Sequence, residues 1–101
     1  MLYEACKTNQ VKIGEIEEFT VQGIRLAIYN VEGRFYATQD ECSHQKIPLS
    51  QGYMEGTWVE CPEHGSKFDI TTGAVRGLPA TLPIKIYPVT IQGDSVMVDI
   101  T

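Results

Sequence analysis

The residues best able to do chemistry in this 101-residue sequence are two cysteine and histidine pairs. Cys42-Ser43-His44 is followed, after sixteen residues, by Cys61-Pro62-Glu63-His64. The sequence contains two histidines, and both lie in these pairs, which disfavours an accidental clustering. Thiolate and imidazole groups are both strong ligands for transition metals. The spacing therefore predicts one metal centre that takes one Cys and one His from each of two loops.

Zinc and an iron–sulfur cluster are the two centres that such ligands could form. A common Cys₂His₂ zinc finger groups its cysteines on a hairpin and its histidines on a helix, whereas each loop here supplies one of each. One Cys and one His per loop suits a two-iron cluster in which one iron takes both sulfurs and the other takes both nitrogens. An iron–sulfur cluster is the better match, and a zinc-stabilised interaction module is the alternative from a different functional class.

The residues around the pairs make the pattern resemble the Rieske [2Fe–2S] family. The second pair continues as Gly65-Ser66 and then Phe68-Asp69, and Pro62 lies between Cys61 and its histidine. Residues 77–83, which read Gly-Leu-Pro-Ala-Thr-Leu-Pro, are similar to the proline-containing loop that lies over the cluster in this family. The resemblance extends over essentially the whole chain.

The resemblance implies a ligand set for one [2Fe–2S] cluster. Cys42 and Cys61 would ligate one iron, and His44 and His64 would hold the other. The neighbouring residues that would support the cluster without ligating it are Gln45, Gly65, Ser66, Phe68 and Pro79. No residue is assigned a catalytic role. We call residues 40–49 the first cysteine loop, residues 60–68 the second cysteine loop and residues 77–83 the proline loop.

Three positions depart from the respiratory branch of the family and bear on the reduction potential. Ile47 and Glu63 occupy positions where that branch has two disulfide-bonded cysteines, and Phe68 replaces a tyrosine. Ser66 would still donate its hydroxyl toward a bridging sulfide, but Phe68 has no hydroxyl to offer a cysteine sulfur. Fewer donors stabilise the extra electron less, so we expect a potential at the low end of the Rieske range, roughly −150 mV rather than +300 mV.

The remainder of the sequence predicts an all-β fold, a small antiparallel sandwich or barrel with a cluster-binding subdomain inserted at about residues 40–70. Apolar stretches are short, rich in β-branched and aromatic residues, and separated by glycines. Two hairpins are predicted, one turning at Glu32-Gly33 and one at Gly93. Residues 40–56 are expected to be irregular, and no window favours a helix longer than about two turns. The predicted strands are residues 2–6, 16–21, 24–31, 34–37, 57–61, 67–70, 86–91 and 96–100.

Length and charge limit the possible functions. A chain of 101 residues predicts one domain spanning residues 1–101 with a single core. Eight basic against thirteen acidic residues give a formal charge of −5, which disfavours nucleic-acid binding and would suit a basic protein partner. We expect no membrane segment, because no apolar run approaches the roughly 18–20 residues needed to cross a bilayer. Three cysteines without a visible leader favour ligands or buried thiols over disulfides, and a cytoplasmic location.

Within the resemblance, length also selects a functional branch. Rieske oxygenases add a domain with a mononuclear iron on two histidines and a carboxylate, for which no spare histidine exists. The resemblance therefore implies a ferredoxin that is not itself an enzyme. It would carry single electrons from an FAD-containing, NAD(P)H-dependent ferredoxin reductase to a terminal oxygenase that has its own Rieske and mononuclear iron centres and hydroxylates aromatic rings. The alternative on the same fold is a small subunit of a nitrite reductase or of another fixed redox complex.

Other residues receive structural interpretations. Cys6 and Trp58 are expected to be core residues, and Asp69 is expected to fix the second cysteine loop. Residues 45–49 and 78–80 are expected to form a mostly apolar shell around the cluster, where a redox partner would dock.

Overall fold

The computed structural model describes residues 1–43, 46–63, 65–78 and 80–100. Within these ranges the regular structure is β-strand apart from two 3₁₀ helices, Thr8–Gln10 and Leu49–Gln51, which confirms the expected all-β class. None of the helices in the described ranges is long and apolar enough to cross a membrane. The strands are β1 (Leu2–Lys7), β2 (Ile16–Val21), β3 (Ile24–Val31), β4 (Arg34–Gln39), β5 (Tyr53–Glu55), β6 (Trp58–Glu60), β7 (Lys67–Asp69), β8 (Val75–Gly77), β9 (Ile86–Tyr87), β10 (Val89–Gln92) and β11 (Ser95–Asp99).

The strands form three antiparallel sheets. The first sheet has the order β1-β11-β10, the second β2-β3-β4-β9, and the third β5-β6-β7-β8. The first sheet contains both the first and the last strand, and the second contains β2 to β4 and β9. The third sheet is built from the segment between β4 and β9. The third sheet is therefore an insertion into the other two, as the sequence predicted, but it ends with β8 at Gly77 and so extends beyond the predicted limit of about residue 70.

Two-residue turns fix the register of the second sheet. Gln22-Gly23 joins β2 to β3, and Glu32-Gly33 joins β3 to β4. All four turn residues have positive φ, between 51° and 94°, which is the backbone of a type I′ turn. That turn matches the natural twist of paired strands. The antiparallel pairing of β3 with β4 confirms the hairpin predicted at Glu32-Gly33. The hairpin around Gly93 is confirmed by the antiparallel pairing of β10 with β11.

Strand β3 is buried on both faces and lies between two cores. Leu26 and Ile28 face a core shared by the first and second sheets, which we call the base core. Ala27 and Tyr29 face a core shared with the third sheet, which we call the cysteine core. The single core expected from chain length is thus wrong, because both faces of one strand are covered. The base core contains Cys6, Val11, Val21, Leu26, Ile28, Ala37, Tyr87, Val96 and Val98. The cysteine core contains Ala27, Tyr29, Cys42, Leu49, Val59, Cys61, Phe68, Ile70, Ala80 and Ile84.

Two of the strand expectations need correction. Residues 86–91 form two strands and not one, because Pro88 has no N–H to donate and interrupts the ladder. The pieces belong to different sheets, β9 to the second and β10 to the first. Residues 40–56, expected to be irregular, contain the Leu49–Gln51 turn and the short strand β5. Strand β8 was not predicted.

The turn after β7 makes a prediction about Gly73. Its φ is +83°, and a Cβ placed there would overlap the carbonyl oxygen of Ile84, whose own N–H donates to the Gly73 carbonyl at 3.0 Å. We expect Gly73→Ala to lower the free energy of unfolding by about 3 kcal/mol, because it adds steric overlap to backbone strain. Chemical denaturation of the cluster-loaded protein measures this loss.

Gly93→Ala is the matched control for Gly73→Ala. Gly93 also has a positive φ, +61°, but no atom lies within 4 Å of the position a Cβ would take. Its substitution should therefore cost only the backbone strain, about 1 kcal/mol. Equal losses for the two variants would show that the contact between Gly73 and Ile84 does not constrain the fold.

Candidate metal centre

Cys42 and Cys61 come from different loops and lie together in the cysteine core. Their relative exposures are 2% and 1%, so both thiols are shielded from water. Burial raises the pKa of the Cys61 thiol to about 11; the backbone N–H of Glu63 opposes this rise, and the neighbouring Cys42 thiol adds to it. The two thiols therefore lie close enough to influence each other's ionisation, as expected for side chains that share one site.

Both cysteine loops are closed by the same kind of backbone hydrogen bond. The Cys42 N–H donates to the carbonyl of Ile47 at 3.0 Å, and the Cys61 N–H donates to the carbonyl of Ser66 at 2.7 Å. Each bond joins a cysteine to the residue five positions later. The second cysteine loop is also the turn of the hairpin formed by β6 and β7. Each loop thus leaves and rejoins rigid structure within a few residues of its cysteine.

Asp40 fixes the base of the first cysteine loop. Its N–H donates to the carbonyl of Arg25 at 3.2 Å, and its Oδ1 accepts the N–H of Ser50 at 2.8 Å. Its Oδ2 lies 3.6 Å from Nη2 of Arg25. Asp40 is fully buried, and burial, followed by the nearby Glu18 carboxyl, raises the pKa of Asp40 to about 6. One side chain therefore links strand β3 to both ends of the loop that carries Cys42.

Serine hydroxyls tie the proline loop to both cysteine loops. The Ala80 N–H donates to Oγ of Ser66 at 3.0 Å, and both residues are fully buried. The hydroxyl of Ser43 donates to the carbonyl of Leu82 at 2.6 Å. Leu78 and Leu82 are 77% and 63% exposed, so this loop presents apolar side chains to solvent next to the cysteine core.

The structure places some of the expected site residues and says nothing of others. Ser66 and Phe68 are both fully buried, and Phe68 belongs to the cysteine core. Gly65 has a φ of +72°, a conformation that favours glycine in the turn of the second cysteine loop. His44, Gln45, His64 and Pro79 lie outside the described residues. The two cysteines of the expected ligand set are therefore brought together, and the two histidines remain a prediction.

Three further expectations concern Cys6, Asp69 and Trp58. Cys6 is buried in the base core and not in the cysteine core, as expected for a small apolar residue. Asp69 accepts the N–H and the hydroxyl of Thr71 at 2.9 and 2.6 Å, so its side chain fixes the turn after β7, and its expected role in fixing the second cysteine loop stays a prediction. Trp58 was expected in the core, which is wrong: it is 41% exposed, and the Arg76 guanidinium lies 5.7 Å from its ring centroid.

Sequence reasoning missed the parts played by Asp40, Ser43 and the Leu82 carbonyl. Asp40 and Ser43 flank Cys42 in sequence, and polar residues beside a predicted ligand were the only available signal. The partner of Ser43 is 39 residues away, and nothing in local sequence predicts that contact.

The described side chains fit a sulfur-ligated iron centre. In the described ranges, no group of three or more His, Cys, Asp or Glu side chains is arranged to hold a metal ion, so the test rests on the two thiols and their surroundings. Buried, adjacent thiols suit a transition-metal centre such as iron, since metal binding deprotonates a thiol that water cannot reach. Oγ of Ser66 accepts the Ala80 N–H and retains its own proton for donation to a sulfur.

Comparison with known proteins gives the family. The Rieske [2Fe–2S] domain model matches residues 1–88. The chain is 42% identical over 97 residues to the biphenyl dioxygenase ferredoxin subunit of Pseudomonas sp. (strain KKS102), covering 95% of this chain and 89% of that one. It is also similar to the Sphingomonas yanoikuyae B1 ferredoxin, with a TM-score of 0.94, 40% identity and 100% coverage of both chains.

A third similarity is to a chain in the solved complex of reduced oxygenase and oxidized ferredoxin in carbazole 1,9a-dioxygenase. The TM-score is 0.89 at 34% identity, over 96% of this chain and 91% of that one. These matches agree with the paired thiols, the two closed cysteine loops and the proline loop. The chain therefore belongs to the Rieske [2Fe–2S] domain family, and its cofactor is one Rieske [2Fe–2S] cluster.

Proposed function

We propose that this chain is a one-electron carrier for an aromatic-ring-hydroxylating dioxygenase system, and that residues 1–101 act as a single Rieske domain. It receives electrons from an FAD-containing, NAD(P)H-dependent ferredoxin reductase and delivers them to a terminal oxygenase with its own Rieske and mononuclear iron centres. The observation that carries the proposal is the similarity to the ferredoxin subunit of a biphenyl dioxygenase, over 95% of this chain and 89% of that one, together with the match to a ferredoxin over 100% of both chains. The same partners suggest a cytoplasmic location.

We assign the ligands as Cys42 and Cys61 on one iron and His44 and His64 on the other. The two buried thiols support the first half of this assignment through their burial and mutual interaction. When bound, the cluster supplies one reversible one-electron step. The protein contributes closed loops on a rigid sheet, which limit how far the ligands can move when the charge changes.

The groups around the two thiols determine how many hydrogen bonds the cysteine sulfurs and the cluster sulfides can accept. Ser66 retains a proton to donate, and the backbone N–H of Glu63 lowers the pKa of Cys61, which favours its thiolate. Phe68 is fully buried nearby and adds an apolar ring without a donor. This arrangement supports a potential at the low end of the family, because each missing donor leaves the added electron less stabilised.

The proline loop is the surface we assign to partner docking. Leu78 and Leu82 are both strongly exposed on a loop that is hydrogen-bonded to both cysteine loops. Exposed apolar side chains beside a redox site can be buried by a partner that brings its own centre close. The formal charge of −5 would steer encounters with a basic partner, with a rate that falls as salt rises.

Substitution of the cysteines tests the ligand assignment. We expect Cys42→Ser and Cys61→Ser each to abolish cluster binding, because a neutral hydroxyl is a poor replacement for a thiolate ligand of iron. Cys6→Ser is the matched control, since Cys6 is an equally buried thiol in the base core. Iron and acid-labile sulfide analysis measures the outcome, with about two of each per chain in the control. Retention of the cluster by either loop variant would refute the assignment.

Reconstitution with its partners tests the carrier role. We expect a purified mixture of NADH, flavin-dependent ferredoxin reductase and ring-hydroxylating oxygenase to form product only when this protein is added. Leu78→Asp should lower the second-order rate of electron transfer to the oxygenase about tenfold, the effect of losing about 1.4 kcal/mol of docking energy. Its cluster content should stay unchanged.

Ile13→Asp is the control for the docking surface. Ile13 is 70% exposed. The N–H of the next residue, Gly14, donates to the carbonyl of Asn30 at one end of β3, whereas the first cysteine loop is bonded to Arg25 at the other end. The rate for Ile13→Asp should equal that of the unmodified protein. A protein that the reductase reduces but that transfers nothing to the oxygenase, or that co-purifies as a fixed subunit of an enzyme, would contradict the proposed function.

A further inference from the structure

Two hydrogen bonds that differ in their exposure to water join described residues of the proline loop to the cysteine loops. For residues Leu78 and Ala80 to Pro83, these bonds run from the Ala80 N–H to Ser66 and from the Ser43 hydroxyl to the Leu82 carbonyl. Each cysteine loop therefore supplies one serine hydroxyl. The Ser66 contact is fully buried, whereas Leu82 is 63% exposed. The hydrogen bond between Ser43 and Leu82 is therefore the more solvent-exposed of the two.

Ser43 is placed to couple this loop to the metal ligands. It directly follows Cys42 in sequence, and its hydroxyl reaches the Leu82 carbonyl at 2.6 Å. Within the same loop, Ala80 is fully buried in the cysteine core with Cys42 and Cys61. If the part of the proline loop around Leu82 moves away from Ser43, water gains access to the buried core that contains Ala80, Cys42 and Cys61.

We propose that Ser43 is a positioning residue that latches the proline loop onto the first cysteine loop through the Leu82 carbonyl and so controls water access to the cysteine core. The inference rests on the proposed function for its redox consequence. In this role Ser43 acts through its hydroxyl on the proline loop and not as a ligand of the cluster. It acts only by holding Leu82.

Two consequences follow from the latch. A hydrogen bond of ordinary net strength changes an opening equilibrium about fivefold, so its loss should raise the open fraction of the loop by that factor. Water admitted to the core stabilises the more highly charged state of a redox centre, and reduction adds one negative charge. Loss of the latch should therefore shift the reduction potential upward and make the cluster easier to extract.

The test compares the cluster-loaded protein with its Ser43→Ala and Ser43→Thr variants. We expect the backbone amides of the proline loop to exchange hydrogen about fivefold faster in Ser43→Ala, with no change in β3. A chelator should bleach the cluster faster by a similar factor, and the potential should rise. Ser43→Thr keeps a hydroxyl and should behave like the unmodified protein in all three measurements.

The possible failures are separable. Unchanged exchange, bleaching and potential in Ser43→Ala would overturn the latch, even if the protein works as a carrier. Equal acceleration in Ser43→Ala and Ser43→Thr would also overturn it, because the hydroxyl would then not be the cause. A protein with the expected latch behaviour that supports no oxygenase turnover would overturn the proposed function and leave the latch standing.

Discussion

The burial of two interacting thiols in one dry core is the constraint on which the rest of this structure depends. Cys42 and Cys61 are 19 positions apart in the sequence and arrive from different sheets, yet both are almost fully shielded from water. Unpaired thiolates would be costly there, so the site is suited to a bound metal centre that supplies the compensating charge. The backbone bonds that close both loops, and Asp40 at the base of the first, hold the thiols in place without a disulfide between the loops.

Strand β3 explains how so small a chain supports this site. One of its faces completes the base core between the first and second sheets, and the other supports the cysteine core beneath the third sheet. Ala27 and Tyr29 pack in the cysteine core with Cys42 and Cys61, so the cysteine loops rest on a strand that the base core also holds in place. An electron carrier benefits from this arrangement, because ligands that are held by a packed sheet need little rearrangement when the charge of the site changes.

The sequence was most informative where its pattern had a local physical cause. The alternation in β3 and the Glu32-Gly33 turn were predicted because period-two burial and positive φ are visible in adjacent residues. Strands β5 and β8 could not be predicted, since three residues are too few to show a period. The strand break at Pro88 is predictable from sequence, because proline has no N–H to donate to a strand ladder. The burial of Asp40 and the contact between Ser43 and Leu82 arise from tertiary packing, so the residues next to them in sequence do not predict them.

We propose that this Rieske carrier has a low reduction potential, because Ser66 can donate toward the cluster and the apolar Phe68 supplies no second donor. A redox titration of the intact protein tests this most directly. We predict a single one-electron transition near about −150 mV, at the low end of the family's range. A midpoint well above zero would contradict this prediction, because the added electron would then be stabilised by more than the Ser66 hydroxyl, with the buried Phe68 ring offering no second donor.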